Sequence, residues 1–226
     1  SRADDSVLSY SVSSRGRRVG SSGREVLVLV DGQRLNNDWT GGAGQHTNLI
    51  SIENAERVEL IRGPGSALYG SNAMLGVINI ITRSERELVL ETGTDDRRHA
   101  SAQWRAESEH GRIDVYARDT RSGGEDLVLF EPFTNPATPV QVNSSDPFRA
   151  NDLYLSGSLG EFTLNGMASS RDQQEFYVVG YVDNLSNARD TRTDFVNLTW
   201  RHHFADHLTL DGRVYQIDRE LDIRAA

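Results

Sequence analysis

At Arg83 the chain changes its hydrophobic period. Before it, apolar residues come in short unbroken runs, Val26-Leu27-Val28-Leu29-Val30 and Gly76-Val77-Ile78-Asn79-Ile80-Ile81. Both are β-branched and bounded by turn residues, the pattern of a strand buried on both faces. After it, polar and apolar residues alternate: Ala100, Ala102, Trp104 and Ala106 share one face against His99, Ser101, Gln103 and Arg105, and Ile113, Val115 and Ala117 stand against Asp114, Tyr116 and Arg118. Segments 152–159, 162–168, 194–200 and 208–217 repeat this imperfectly. A period of two with one apolar face is a half-exposed antiparallel strand.

The first part reads as a small mixed sheet stitched by Gly-rich loops. Between the two apolar runs, a capping-type Ser51 leads into a third strand candidate, Arg57-Val58-Glu59-Leu60-Ile61. Gly63-Pro64-Gly65 then forces a chain reversal, Ser66 is placed to cap a short helical turn over 67–69, and Gly70 stops it. The stretch Gln33 to Leu49 is too polar and Gly-rich to pack as core and too long for a simple turn, so it is expected to be a binding or gating loop. Its Gly41 to Gly44 cluster has no strand feeding it and no Lys after it, which disfavours a phosphate cradle. Ser1 to Gly23 reads as one irregular strand over 8–14 and a loop.

In the second part the connections sort by length. Turns at 109–111, 159–161 and 205–206 are short, whereas 122–148 and 172–189 are long and polar. Short turns on one side and long loops on the other are the layout of a membrane β-barrel. From Glu87 onward about seven strand candidates can be counted, too few and of the wrong parity to close such a barrel.

Composition excludes several classes. No run approaches the roughly 18–20 apolar residues of a membrane helix. A membrane barrel is not excluded, since its strands average lipid-facing with lumen-facing residues. With 24 basic and 33 acidic residues the net charge is -9, which argues against a nucleic-acid partner. Zero Cys removes disulfides, thiolate metal sites and thiol catalysis together.

The series Val28-Leu29-Val30-Asp31-Gly32, Ile52-Glu53 to Glu59, Arg62-Gly63-Pro64-Gly65-Ser66-Ala67-Leu68-Tyr69-Gly70 and Gly76-Val77-Ile78-Asn79-Ile80-Ile81-Thr82 resembles the plug domain of TonB-dependent outer-membrane receptors. The resemblance implies an α+β plug with a small mixed sheet over 1–84, followed over 85–226 by antiparallel strands of a transmembrane β-barrel, about 22-stranded in the complete family. It implies further plug and a TonB box before Ser1, and further barrel after Ala226. The expected function is energised import across the outer membrane of a Gram-negative bacterium, with ferric siderophore as the default cargo and haem or cobalamin open. The partners implied are the TonB energy-transducing protein, an iron complex or similar small ligand, and outer-membrane lipid.

Site residues follow from the same resemblance. Trp39, Gln45 and His46 fall in the loop that rises to the plug apex and touches ligand. Arg15 and Arg62 match the two Arg-Gly pairs whose arginines bridge plug to barrel carboxylates, and Glu56 and Glu59 belong to the same charge network. Against these stand bland readings, with Trp39 as an anchor to the wall, His46 solvated and Arg62 a surface charge. No catalytic constellation is present: there is no His-Glu-x-x-His, Gly-x-Ser-x-Gly or P-loop. His202 and His203 are adjacent in a strand and point to opposite faces. No metal site, cofactor or enzymatic activity is expected. The competing class is a soluble all-β carbohydrate-binding or adhesin module, distinguished by whether the protein needs detergent.

Overall fold

The computed structural model describes residues 24–37, 41–43, 51–130, 141–174, 177–178, 181–182, 188–205 and 208–224. Two main sheets organise them. The small one holds β1 (Val26–Val30), β2 (Gln33–Arg34), β3 (Ala55–Arg62) and β4 (Gly76–Thr82), in the order β2-β1-β4-β3. β1 and β4 are parallel and the other pairs antiparallel, so the sheet is mixed as expected.

β1 is apolar at all five positions because both of its faces are covered, and every one of its residues is buried. Leu27 and Leu29 pack with Ala73 and Val77 on one side. Val28 and Val30 join Leu35, Ala43 and Ile80 on the other. Asp31 and Gly32, both at positive φ (46° and 76°), make the tight turn that returns the chain from β1 into β2. Where β3 meets β4, a Cβ at Gly76 would sit 2.7 Å from the Ile61 carbonyl oxygen, so only glycine lets the two strands approach.

Two capping expectations are corrected. The helical turn α1 (Ser66–Tyr69) is capped by Gly65, whose carbonyl accepts from the Leu68 and Tyr69 N–H groups, and the Ser66 hydroxyl takes no part. Ser51 precedes a single 3-10 turn (Ile52–Asn54) without capping it through its side chain. Its hydroxyl is spent elsewhere, on Tyr116. The loop expectation for Gln33 to Leu49 is also corrected in its described part, where Leu35, Asn36 and Ala43 are core. Polarity misled there because Asn36 is buried to satisfy backbone: it accepts from the Val28 N–H (2.8 Å) and donates to the Val26 and Gly41 carbonyls (both 3.0 Å).

The large sheet is antiparallel throughout and has seven strands, the number the alternation suggested. They are β5 (Glu87–Thr92), β6 (Arg98–Ser108), β7 (Gly111–Ser122), β10 (Phe148–Leu159), β11 (Phe162–Gln174), β14 (Ala188–Ala205) and β15 (Leu208–Arg224), each paired with its neighbour in that sequence. The long connections each carry a small hairpin, β8 (Asp126–Phe130) with β9 (Gln141–Ser145) and β12 (Tyr177–Val178) with β13 (Tyr181–Val182).

Burial inverts the usual rule. Along β6, His99, Ser101 and Gln103 are buried while Ala100, Ala102 and Trp104 are exposed. The same holds for Asp114, Asp152, Asn165, Thr193 and Asn197 inside against Ile113, Leu153, Leu164, Val196 and Leu198 outside. Leu88 and Leu90 stand 70% and 72% exposed on the outer face of β5. A polar face turned to protein and an apolar face turned outward suit a sheet whose outer solvent is hydrocarbon. Among the described residues no helix is long and apolar enough to cross a membrane, which leaves strands unaffected.

Candidate functional site

The small sheet docks on the inner face of the large one. Tyr116, Tyr154, Met167 and Phe195 of the wall extend the Val28 and Val30 core cluster, so one apolar patch crosses the seam. Around that patch the contacts are polar, with hydroxyl, imidazole and guanidinium groups of the wall meeting oxygens of the small sheet and its 51–54 turn.

One contact is the turn at 51–54. The Ser51 and Tyr116 hydroxyls are 2.9 Å apart. The Glu53 carboxylate meets His99 Nε2 at 3.4 Å, the Tyr116 hydroxyl at 3.4 Å and the Arg118 guanidinium at 3.7 Å. His99 is oriented from behind by Thr120 Oγ1 at 2.8 Å from Nδ1. Arg118 in turn lies 2.6 Å from Asp152, whose other cationic partner is Arg171 at 2.9 and 3.1 Å in a two-pronged bond. Asp152 has a side chain with no exposed surface, so this is a buried row of two cations about one carboxylate, with Glu53 at its open end.

A second contact is the β1–β2 hairpin. Arg213 of β15 donates to the Gln33 side-chain oxygen and to the Gly32 carbonyl, and is itself held by Asn197 at 2.6 Å. Arg219, six residues along the same strand, donates to the Leu35 carbonyl at 3.3 Å. Next to the second contact a polar cleft of about 540 Å³ opens beside Asp31 and Gly32, walled by Thr163, Asn197, Arg201 and Arg213. Burial pushes the Asp31 carboxyl above its usual range, although the Thr82 N–H and hydroxyl bond it and pull the other way.

The residues expected from sequence fall differently. Arg15, Trp39, Gln45 and His46 lie outside the described residues. Glu56 and Glu59 both pair with Arg57, within the small sheet, at 3.2 and 3.0 Å. Glu59 also accepts from Asn79, and that bond and Arg57 hold its carboxyl below the ordinary range. Arg62 ends β3 on an exposed position and makes no ion pair among the described residues. The contact that does cross the seam, Glu53 to Arg118 and His99, has a carboxylate on the small-sheet side and a guanidinium and an imidazole on the wall. Sequence reasoning missed Arg118, Asp152 and Arg171. The two-residue turn at Gly160 and Glu161 fixes the β10–β11 register, so counting back sets Asp152 opposite Ser169, two residues from Arg171. Arg118 joins across the long 123–147 connection, where counting fails.

Glu53→Gln is expected to leave global stability within about 1 kcal/mol, since the side chain is 45% exposed and solvent screens its pairs. Backbone amide exchange over 51–57 is expected to rise at least several-fold, because the turn loses its charged hold on the wall. Unchanged exchange there in the folded protein would show that Ser51 and the apolar patch suffice.

Comparison with known proteins gives this geometry a context. The family model of the TonB-dependent receptor plug domain matches residues 5–77. The chain is 42% identical over 179 residues, 76% of its length, to the vitamin B12 transporter BtuB of Vibrio vulnificus (strain CMCP6), of which it spans 29%. That match is longer than the plug match and runs on into the strands. The fold is similar to that of the siderophore receptor PiuA from Acinetobacter baumannii (TM-score 0.57, 12% identity, 90% of this chain and 30% of that one). It is similar also to the copper transporter OprC (0.54, 17%, 85% and 29%) and to the ferric enterobactin receptor PfeA from Pseudomonas aeruginosa (0.52, 20%, 89% and 36%).

Proposed function

Since the chain carries the plug domain and the first barrel strands of a TonB-dependent receptor, we propose that it forms part of an energised importer of the Gram-negative outer membrane. The plug occupies residues up to 84 and the barrel begins at 85. The observation that carries the reading is the inverted wall: an apolar face outward, a polar face inward, and a folded plug held on that polar face by Glu53, Gln33 and the Leu35 carbonyl. A soluble carbohydrate-binding sandwich would bury the apolar faces that here stand exposed.

A plug held mainly by polar contacts suits a part that must shift. Each hydrogen bond at the seam can be exchanged for one to water at small net cost, whereas a fully apolar seam would have to expose its area at roughly 25 cal/mol per Å². The polar cleft beside Asp31 is where water already reaches the seam. Pull from a TonB partner on the plug therefore has a route of low resistance.

The cargo we assign is a corrinoid of the vitamin B12 class. Its support is the 42% identity to a protein named for vitamin B12 transport, extending past the plug, whereas the receptors at 12–20% identity share the fold alone. Trp39, Gln45 and His46 contact that cargo at the plug apex. Arg15 and Arg62 meet carboxylates of the barrel, while Glu56 and Glu59 are held beside Arg62 on β3 by Arg57. The test is equilibrium binding of cyanocobalamin and of a ferric catecholate to the detergent-purified receptor, followed by Trp fluorescence. Cyanocobalamin is expected to bind in the wild type, and Trp39→Ala to weaken it roughly threefold to tenfold, the worth of one stacked aromatic contact. Saturable binding of the ferric catecholate instead returns the cargo to the siderophore class. Uptake of labelled cyanocobalamin that persists in cells lacking TonB overturns the importer reading itself.

A further inference from the structure

The outer wall carries an arrangement that transport does not use. The strand register sets Arg98, Arg121 and Arg149 directly opposite one another on β6, β7 and β10. All three are exposed, while their chain neighbours His99, Thr120 and Ala150 are buried on the inner face, so the arginines belong to the outer face. Neighbouring strands lie about 4.8 Å apart, which gathers the three stems within about 10 Å.

Like charges directly opposite each other weaken a sheet. Little on the wall relieves them. Asp119 bonds Arg121 at 3.1 Å. Asp172 stands opposite Arg149 in the register, yet among the described residues no ion pair joins them, and none reaches Arg98. Among the described residues, Arg98 and Arg149 therefore keep charges that no ion pair compensates.

Its height is informative. Ten residues along the same strands lie Ser108, Gly111 and Leu159, at the short turns. Ten residues at about 3.3 Å, tilted by about 40°, rise about 25 Å, which is the height of the apolar band on a membrane barrel. Between the two ends the outer face carries Ala102, Trp104, Val115, Leu153 and Leu155. The arginines therefore stand where that band ends, on the side of the long connections.

We propose that Arg98, Arg121 and Arg149 form a headgroup site for a phosphate-bearing membrane lipid, whose acyl chains lie along the Ala102 and Leu153 surface. This rests on reading the outer face as membrane-facing. Guanidinium forks match phosphate oxygens in pairs, and three of them about 5 Å apart suit a headgroup with more than one anionic oxygen cluster. Lipid phosphate turns a row of repelling charges into a bound one.

The experiment melts the detergent-purified receptor in neutral phosphatidylcholine micelles and in micelles doped with phosphatidylglycerol. The anionic lipid is expected to raise the melting temperature of the wild type. In R98Q/R121Q/R149Q the lipid needed for half the effect is expected to rise roughly a hundredfold, from the about fivefold that each arginine is worth beside an anionic surface. Arg149→Gln alone, which removes an arginine with no ion pair among the described residues, is expected to shift it about fivefold, which keeps the test open if the triple variant assembles poorly. Arg192→Gln, which loses an arginine already paired with Asp194, is expected to shift it little. In neutral micelles the triple variant is expected to melt no lower than wild type. Equal response of wild type and triple variant overturns the site, as does an equal gain from inorganic phosphate without lipid. A receptor that stays folded without detergent would instead overturn the membrane reading beneath it.

Discussion

Asp152→Ala lowers the stability of the assembled receptor by about 3–5 kcal/mol, the largest effect expected of any single substitution on the wall. The carboxylate has no exposed side-chain surface and is shared by Arg118 and Arg171, whose side chains are 12% and 4% exposed. Its removal leaves Arg118 with only the 3.7 Å contact to Glu53 and takes from Arg171 its two-pronged carboxylate, so both guanidinium groups stay buried with too little negative charge beside them. Ser169, which donates to the same carboxylate, loses its acceptor as well. Equilibrium unfolding in detergent measures the loss. Replacing the whole row, with Arg118→Met, Asp152→Leu and Arg171→Met together, is expected to recover most of it, because the cost lies in the unpaired charge and not in the missing bond. A single Asp152→Ala loss under about 1 kcal/mol would mean that water reaches the row and screens it.

Asn36→Ala costs about 3 kcal/mol and acts on the plug alone. The side-chain amide closes three backbone positions, the Val28 N–H and the Val26 and Gly41 carbonyls. β2 is two residues long and pairs β1 only at Leu29 and Val30. Asn36 takes over as the neighbour of β1 where β2 ends. Alanine leaves the Val28 N–H and the Val26 carbonyl buried and unpaired, at about 1–3 kcal/mol for each. Hydrogen exchange at the Val28 amide, protected in the wild type, is expected to accelerate more than a hundredfold, the factor that corresponds to about 3 kcal/mol. Exchange that stays slow would show that the edge of β1 closes on another group.

These two positions separate what is local in this protein from what is not. The strands themselves are local: Val26–Val30 was bounded to the residue, β4 to within one, and the alternating segments fall inside β6, β7, β10, β11, β14 and β15. Side-chain alternation and turn residues act over a few positions, so they can be read from them. Caps were less legible. Ser51 and Ser66 have the chemistry of a cap, but whether a hydroxyl turns to its own N–H groups depends on what else stands within reach, and for Ser51 that is Tyr116, 65 residues away.

The sequence by itself determined the two hydrophobic periods, the mixed character of the small sheet, the sorting of short turns against long connections and the plug family. Which face of each strand turns inward was left to the tertiary structure, because a period of two is symmetric until something packs on one side. Here the plug packs on the polar side and leaves the apolar side out. The charge pairing was decided there too. Glu53 meets Arg118 and His99, and Asp152 meets Arg118, across connections whose length sets no register, while only the Asp152–Arg171 pair follows from a short turn. Arg62, Glu56 and Glu59 carry the right charges for a seam, yet within the described residues their strand β3 lies at the edge of the small sheet, on the far side of β4 from the β1–β2 hairpin that reaches the wall. Charge is a property of the residue; partnership is a property of where the sheets bring it.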